Sequence, residues 1–391
     1  MPLSVKALRS VCLALFCVAT LAILPASPLR AEEASSGLSA CSQGQGLAPS
    51  GPYAKLARGV NLPNWEPSHT GLKPDAALLG LLLKEGFTHI RLPVDGEWLM
   101  AEYTKPEDTE LYLSTLEAEV LRLHGLGFAV TVDMHPAGRF QALHRIAPDA
   151  AFTLLIEAWD LIVSRSKSWP QTDIYFELLN EPVPQQDVWW AQAQTLVTHL
   201  NQVTPNRYLI VGPAVFQRYE PLLSSQPLKG EGLIYVIHYY DPFIFTHQAM
   251  NWDPNTYLSD VGHLPFPADA EDPLIVEMVK KFRVKGNEEA AADIEKTYAN
   301  RWDAARILSD LTPVGDWSRT HQVPVIINEF GVLNFDVDMW ARHDWLQAVR
   351  RAAEQNCLGW AHWDFSDGFA LIDNATTLPD PFVLDALVGK P

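Results

Sequence analysis

The sequence predicts a (β/α)8 barrel of the TIM type, and three observations carry that prediction. Short apolar runs alternate with longer helical patterns eight times, the helical patterns stop at glycines, and polar side chains gather at the C-terminal ends of the apolar runs. Such alternation argues for parallel strands joined by right-handed crossovers. The competing architecture, a doubly wound open sheet, would carry a glycine-rich phosphate loop after its first strand, and this chain has none there.

The strand candidates are Ala57–Leu62, His89–Val94, Phe128–His135, Ile174–Glu181, Tyr208–Gly212, Leu233–Tyr240, Val323–Glu329 and Leu358–Asp364. Between the first two, Leu78, Leu79, Leu82 and Leu83 recur at helical spacing after Pro74-Asp75 and stop at Gly86. Leu113, Leu116, Val120 and Leu123 repeat the pattern and stop at Gly125 and Gly127. One connection is long. From Phe243 to about Asp293 the chain carries Pro254, Pro265, Pro267 and Pro273 among polar residues. Because it follows the sixth strand, this insertion is expected at the C-terminal mouth of the barrel, as a cleft wall with some helix.

Residues 1–31 read as a secretory signal peptide. Lys6 and Arg9 precede an apolar run from Val11 to Leu24, and Pro25, Pro28 and small residues lead to Ala31. The run falls short of the roughly 20 residues a membrane span needs, so the mature chain is expected outside the membrane, secreted to the periplasm or beyond the cell. Leu38 to Cys41 resembles a lipid-attachment string, but Arg30, Glu32 and Glu33 separate it from the apolar run, and Cys41 is read as an ordinary cysteine. Residues 32–56 read as a polar lead-in and 57–391 as one (β/α)8 catalytic domain. Without its leader the chain keeps Cys41 and Cys357, enough for one disulfide and no metal framework.

Composition bounds the partners. The formal charge is -18, and removing Lys6, Arg9 and Arg30 with the leader makes the chain more acidic still. Such a surface repels nucleic acid and anionic membrane. Its 13 Trp, 11 Tyr and 16 Phe offer flat apolar surface suited to sugar rings. A neutral polysaccharide or oligosaccharide is the expected partner of a monomeric chain without cofactor.

The polar strand ends carry the chemistry. Arg91 lies on strand two, His135 ends strand three, Asn180-Glu181-Pro182 ends strand four, His238 and Tyr240 end strand six, Glu329 ends strand seven and Trp363 ends strand eight. Six strand ends presenting such groups to one rim point to a catalytic mouth. By strand parity Glu177 and Glu181 share a face, with Glu181 at the rim and Glu177 deeper as a structural carboxylate for a cation such as Arg91. Cleaving a glycosidic bond needs a proton donor and a nucleophile or base, and carboxyls about 5 Å apart give retention through a covalent intermediate. Partial burial would raise the Glu181 pKa, and Arg91 would favour the charged form of Glu329. Trp65, Trp98 and Trp252, in rim loops, are candidate platforms for flanking sugars.

The strings RGVNL, HIRLPVD, VTVDMHP, FELLNEP, HYYDP, IINEFG and WAHWDFSDG, in that order from about Ala57 to about Gly368, resemble glycoside hydrolase family 5, its cellulase branch above all. The resemblance implies Glu181 as acid/base and Glu329 as nucleophile. It implies Asn180 at the sugar 2-hydroxyl, Arg91 and Tyr240 holding the nucleophile, His135 and His238 lining the cleavage subsite and assisting the acid/base, and Trp363 beneath the sugar. The activity it implies is an endo-β-1,4-glucanase, with β-mannanase or another β-glucanase as the alternative.

Two readings from other classes stand against it. A metal-dependent hydrolase on the same barrel would need a His-x-His after strand one, where Asn61 and Trp65 stand. A non-catalytic sugar-binding barrel would have lost one of the two glutamates, and both are present.

Overall fold

A computed structural model describes residues 51–389, Pro67 apart. Eight parallel strands close into a barrel in chain order: β1 Arg58–Asn61, β2 His89–Val94, β3 Ala129–Met134, β4 Ile174–Glu177, β5 Leu209–Val211, β6 Leu233–His238, β7 Val325–Glu329 and β8 Gly359–His362. The ring shuts where β1 meets β8, with Val60 opposite His362. Each run read from the sequence contains one of these strands. Several are shorter than read, because the chain leaves the ladder before the run of apolar residues ends. Leu178–Glu181 and Tyr239–Tyr240 are such departures, and they hold site residues.

Each strand shows two different faces. Outward, Ile90, Leu92 and Val94 of β2 and Val130, Val132 and Met134 of β3 join the main hydrophobic core. The helices pack onto it with the periodic residues read from sequence, among them Leu79, Leu82, Leu116, Val120 and Leu123. Inward, Ala129, Tyr175, Ile210, Ile234, Val236 and Ile326 form a small apolar plug. Leu56 joins that plug from a short 3-10 helix, Gly51–Ala57, so the end of the stretch read as a lead-in packs against the barrel floor. Toward the mouth the interior turns polar, with Asn61, His89, Arg91, Thr131, Asp133, Glu177 and Asn328 all fully buried. Groups of this kind stay inside only when they satisfy one another.

The insertion after β6 divides into two parts. Phe243 to Trp252, beginning with the turn Phe243–Thr246, lines the barrel mouth as expected. Further on, helices Pro273–Val284 and Glu288–Tyr298 pack on each other and contribute nothing to the lining of the central recess.

Among the described residues no helix is long and apolar enough to cross a membrane. The leader, the lipid-attachment string and Cys41 lie outside the described residues. Cys357 is disulfide-bonded.

Candidate active site

Arg91 organises the mouth from within the barrel. Its buried guanidinium donates two parallel hydrogen bonds to Glu177, at 2.8 and 2.9 Å, and one to Glu329 Oε1 at 2.6 Å. It also donates to Asn61 Oδ1 at 2.9 Å and Asn180 Oδ1 at 2.8 Å, and lies 2.9 Å from Asp133 Oδ2. One cation therefore faces three carboxyl groups. Burial opposes its charge, but Asp133, Glu177 and Glu329 more than offset this and keep Arg91 firmly protonated. Burial also pushes Glu177 up, and the charge and hydrogen bonds of Arg91 overcome it, so that carboxylate sits below its ordinary range. Asp133 goes the other way: burial outweighs Arg91 and drives its pKa well above the carboxylate range. Glu177 is thus the structural partner of Arg91 that the sequence suggested, and the same arginine holds Glu329.

Glu181 does not reach the rim by strand parity. β4 ends at Glu177, and Glu181 follows in a turn at φ 45°. Its Oε1 lies 2.9 Å from His238 Nδ1, and its backbone N–H donates to Gln217 Oε1 at 3.1 Å. Burial raises the Glu181 carboxyl to about 7, while 27% of its side chain stays open to the cleft. His238 Nδ1 also stands 3.4 Å from Glu329 Oε2, and Tyr240 donates to that oxygen at 3.0 Å. Ligating atoms of Glu181, His238 and Glu329 all lie within 4.8 Å of one another. A carboxyl oxygen from β4's exit thus stands within that distance of one from the end of β7.

The two histidines differ. Burial lowers His238 to about 4 and lowers His135 as well, so both rings are neutral at neutral pH. Only His238 contacts the Glu181 carboxyl. His135 uses Nδ1 on Asp133 Oδ2 at 2.9 Å and Nε2 on Asn180 Nδ2 at 3.0 Å, and Trp363 stacks beside it with centroids 5.8 Å apart. The amide orientation follows from these partners: Asn180 accepts from Arg91 and donates to His135. Gly331 lets the loops after β7 and β8 touch, since a Cβ there would strike the Trp363 carbonyl.

The recess has a volume of about 460 Å³, and His135, Asn180, Glu181, His238, Tyr240, Glu329 and Trp363 all line it. Of the three candidate platforms only Trp252 belongs to it, 55% exposed. Trp65 is a core residue: 6% exposed, it donates to the Pro93 carbonyl and packs on Tyr112. Trp98 also stacks on Tyr112, with rings 5.8 Å apart and 11° from parallel, outside the recess. Their two loops, after β1 and after β2, are anchored by aromatic packing on Tyr112, which spacing along the chain does not reveal. Sequence reasoning missed six lining residues, Phe216, Arg218, Phe243, His247, Met250 and Phe369. His247 lies against the Phe243 ring at 3.8 Å. It missed Gln217 and Asp133 beneath them too. Asp133 was visible in the string VTVDMHP, two residues before His135 on the inward parity; the others sit in irregular loops without such a signal.

Glu181, His238 and Glu329 form the one group among the described residues whose donor atoms could converge on a metal ion. The Arg91 guanidinium already places a positive charge 2.6 Å from Glu329. A divalent ion would have to sit against that resident cation, so the donor set fits a metal poorly.

A parallel barrel with two carboxyls facing each other across its mouth, one held by arginine and tyrosine and the other desolvated beside a neutral histidine, is built as a glycosidase of the two-carboxylate class. Residues 54–368 match the family model described as cellulase (glycosyl hydrolase family 5). The chain belongs to that family. It is 27% identical over 343 residues to Endoglucanase 3 of Fibrobacter succinogenes, an alignment covering 82% of this chain and 51% of that protein. The chain thus spans about half the length of that relative. With Endoglucanase C of Acetivibrio thermocellus it shares 23% identity over 291 residues, covering 73% of this chain and 81% of the relative. Among solved structures, a hyperthermophilic endo-beta-1,4-glucanase in complex with substrate has a TM-score of 0.70 at 21% identity, covering 87% of this chain and 98% of its own. The cellulose synthase subunit Z of Clostridioides difficile has a TM-score of 0.67 at 20% identity, covering 85% and 99%. These structural likenesses establish the barrel.

Proposed function

We propose that the protein is a retaining endo-β-1,4-glucanase in which Glu329 is the nucleophile and Glu181 the acid/base. The observation that carries this reading is the approach of the two carboxyls to within 4.8 Å around His238. Retaining enzymes separate their carboxyls by about 5 Å, whereas inversion needs a wider gap to admit water. The names of the relatives support β-1,4-glucan as substrate, and the aromatic rings lining the recess suit it.

In the first step a Glu329 oxygen bonds to the anomeric carbon as the bond from that carbon to the leaving oxygen breaks. The Glu181 proton passes to that oxygen. In the second step Glu181 takes a proton from water, whose oxygen replaces Glu329 on the anomeric carbon and regenerates both groups. Arg91 and Tyr240 fix the oxygens of Glu329 and offset its charge. His238, neutral, holds the Glu181 carboxyl. Asn180, locked between Arg91 and His135, is placed for the sugar 2-hydroxyl, and Trp363 is the platform beneath the ring. Export through the leader at residues 1–31 fits a polysaccharide substrate that cannot enter the cell, and the disulfide at Cys357 fits an oxidising compartment.

A reducing-sugar assay across β-glucans, xyloglucan and β-mannans tests the reading, with Glu181→Gln as blank. Hydrolysis led by β-1,4-glucan is expected. A clear preference for β-mannan would replace the substrate, and turnover by Glu329→Gln near the wild-type rate would overturn the assignment of the nucleophile.

A further inference from the structure

A second hollow, of about 480 Å³, opens beside the catalytic recess and takes no part in the chemistry at Glu181 and Glu329. Its walls come from the loop after β7, from a small hairpin pairing Ile372–Asp373 with Leu378–Pro379, and from the first turns of helices Met339–Gln355 and Pro381–Val388. Phe369 and Ala370 divide the two spaces, the first lining the recess and the second the hollow. The volume suits a small ligand, since such sites commonly run from about 300 to 1,000 Å³.

Arg342 lines the hollow while only 6% exposed. Its Nε donates to the Val332 carbonyl at 3.0 Å, and its Nη2 to the carbonyls of Phe369 and Ala370 at 2.7 and 3.0 Å. All three acceptors are neutral. Burial lowers the guanidinium to about 10 against the pull of Asp380 and Asp364, so its charge is incompletely met. Nη1 hydrogen-bonds to none of the described residues and is not sealed in the interior, which leaves its two N–H groups to the hollow. A buried donor edge of this kind calls for a partner.

Acceptors and an apolar wall stand around it. Asp373 Oδ1 accepts the Ala375 N–H at 2.7 Å and Asp380 Oδ1 the Phe382 N–H at 2.8 Å, while the second oxygen of each carboxylate bonds to none of the described residues. Met339 and Phe382 supply apolar surface. Trp340, 57% exposed, stands perpendicular to Phe382 with ring centroids 5.0 Å apart.

This pattern selects a chemistry. Two carboxylates beside one guanidinium repel an anion, and the free N–H groups of Arg342 oppose a metal cation. A neutral polyhydroxyl ring satisfies both kinds of group. Its hydroxyls accept from Nη1 and donate to the carboxylate oxygens, and its C–H face lies on Met339 and Phe382.

We propose that this hollow is a second, non-catalytic carbohydrate site that takes one or two units of a β-glucan chain. The choice of a glucan rests on the reading of the protein as a glucanase; the sugar chemistry rests on the hollow itself.

The test titrates cellotriose calorimetrically into enzyme whose recess has been closed with 2-deoxy-2-fluoro-β-cellobiosyl fluoride. A Glu329 oxygen bonds to the anomeric carbon of this reagent as the bond to fluorine breaks; fluoride departs without a proton, and the sugar stays on Glu329. One remaining site is expected. Ala375→Trp, which fills the hollow from an exposed position, should weaken it at least about tenfold, and Met339→Ala about threefold. Both variants should keep the wild-type melting temperature and hydrolyse cellotriose at the wild-type rate when unblocked. Absence of binding, or an affinity that neither substitution changes, would overturn the proposal. Failure of the fluoride to label Glu329 would instead defeat the glucanase reading. Cellotriose titrated into the untreated protein and the two variants would then judge the hollow alone, and binding that Ala375→Trp leaves intact would sink it.

Discussion

Arg91 Nη1 lies 2.6 Å from Glu329 Oε1 inside a barrel where that arginine is wholly buried. The same guanidinium binds Glu177 with two further hydrogen bonds and faces Asp133. It joins the fold's polar interior to the carboxyl proposed as the nucleophile. Stability and catalysis therefore fail together when it is removed. Arg91→Met strands Glu177 and Glu329 without a counter-charge, and losing one member of a buried pair typically costs about 3–5 kcal/mol. Urea unfolding should show a loss of that size, with hydrolysis abolished. Arg91→Lys should rescue little, because a lysine cannot supply the forked donors. A folded, active Arg91→Met would refute this role.

The pH profile follows from the Glu181 carboxyl, which burial holds up to about 7. A raised carboxyl keeps its proton up to that pH and releases it above. The acid role needs the protonated form, so kcat/KM on polysaccharide should fall about tenfold per pH unit on the alkaline side of that value. His238 cannot supply this limb, because burial lowers it to about 4. Profiles on β-cellobiosyl fluoride should lack the limb. A polysaccharide rate that keeps rising well above neutrality would remove Glu181 from the acid role.

Two tryptophans on the rim loops should respond in opposite ways. Trp65→Ala deletes a core ring, a change that commonly costs about 3–5 kcal/mol, so its melting temperature should drop markedly. Trp252→Ala removes an exposed ring from the recess and should leave stability within about 0.5 kcal/mol while raising KM on long chains. Thermal melts and steady-state kinetics on both variants check this, and a Trp65→Ala protein of wild-type stability would contradict the packing described.

Chelation offers a cheap discriminator. The charge beside Glu329 comes from Arg91, so dialysis against EDTA should leave turnover within about twofold of the untreated enzyme. Loss of activity restored by a divalent ion would bring back the metal-dependent reading.

Much of the site was legible because it lies at regular strand ends. Arg91 on β2 and Glu329 at the end of β7 sit where period-two alternation and strand length place them. His238 at the end of β6 meets Glu181, and Tyr240, just beyond the ladder, meets Glu329. The reading failed where the chain leaves the ladder. Glu181 was assigned by continuing β4 past Glu177, and it reaches the cleft through a left-handed turn instead. Trp65 and Trp98 looked like rim residues and pack against Tyr112. Phe216 and Gln217, at φ 59° and 52°, gave no signal at all, since positive φ in residues with Cβ is imposed by neighbours.

The sequence alone determined the eight strands, their parallel order, and which strand ends carry carboxyl, imidazole and indole groups. These follow from local periodicity and from polar residues placed where apolar ones would otherwise stand. Tertiary structure alone decided that one arginine serves both Glu177 and Glu329. It also decided that Glu181 is desolvated enough to stay protonated near neutrality, and that Gln217 holds its backbone. Those properties depend on distances across the barrel and on exclusion of water, and both arise only when the ring closes.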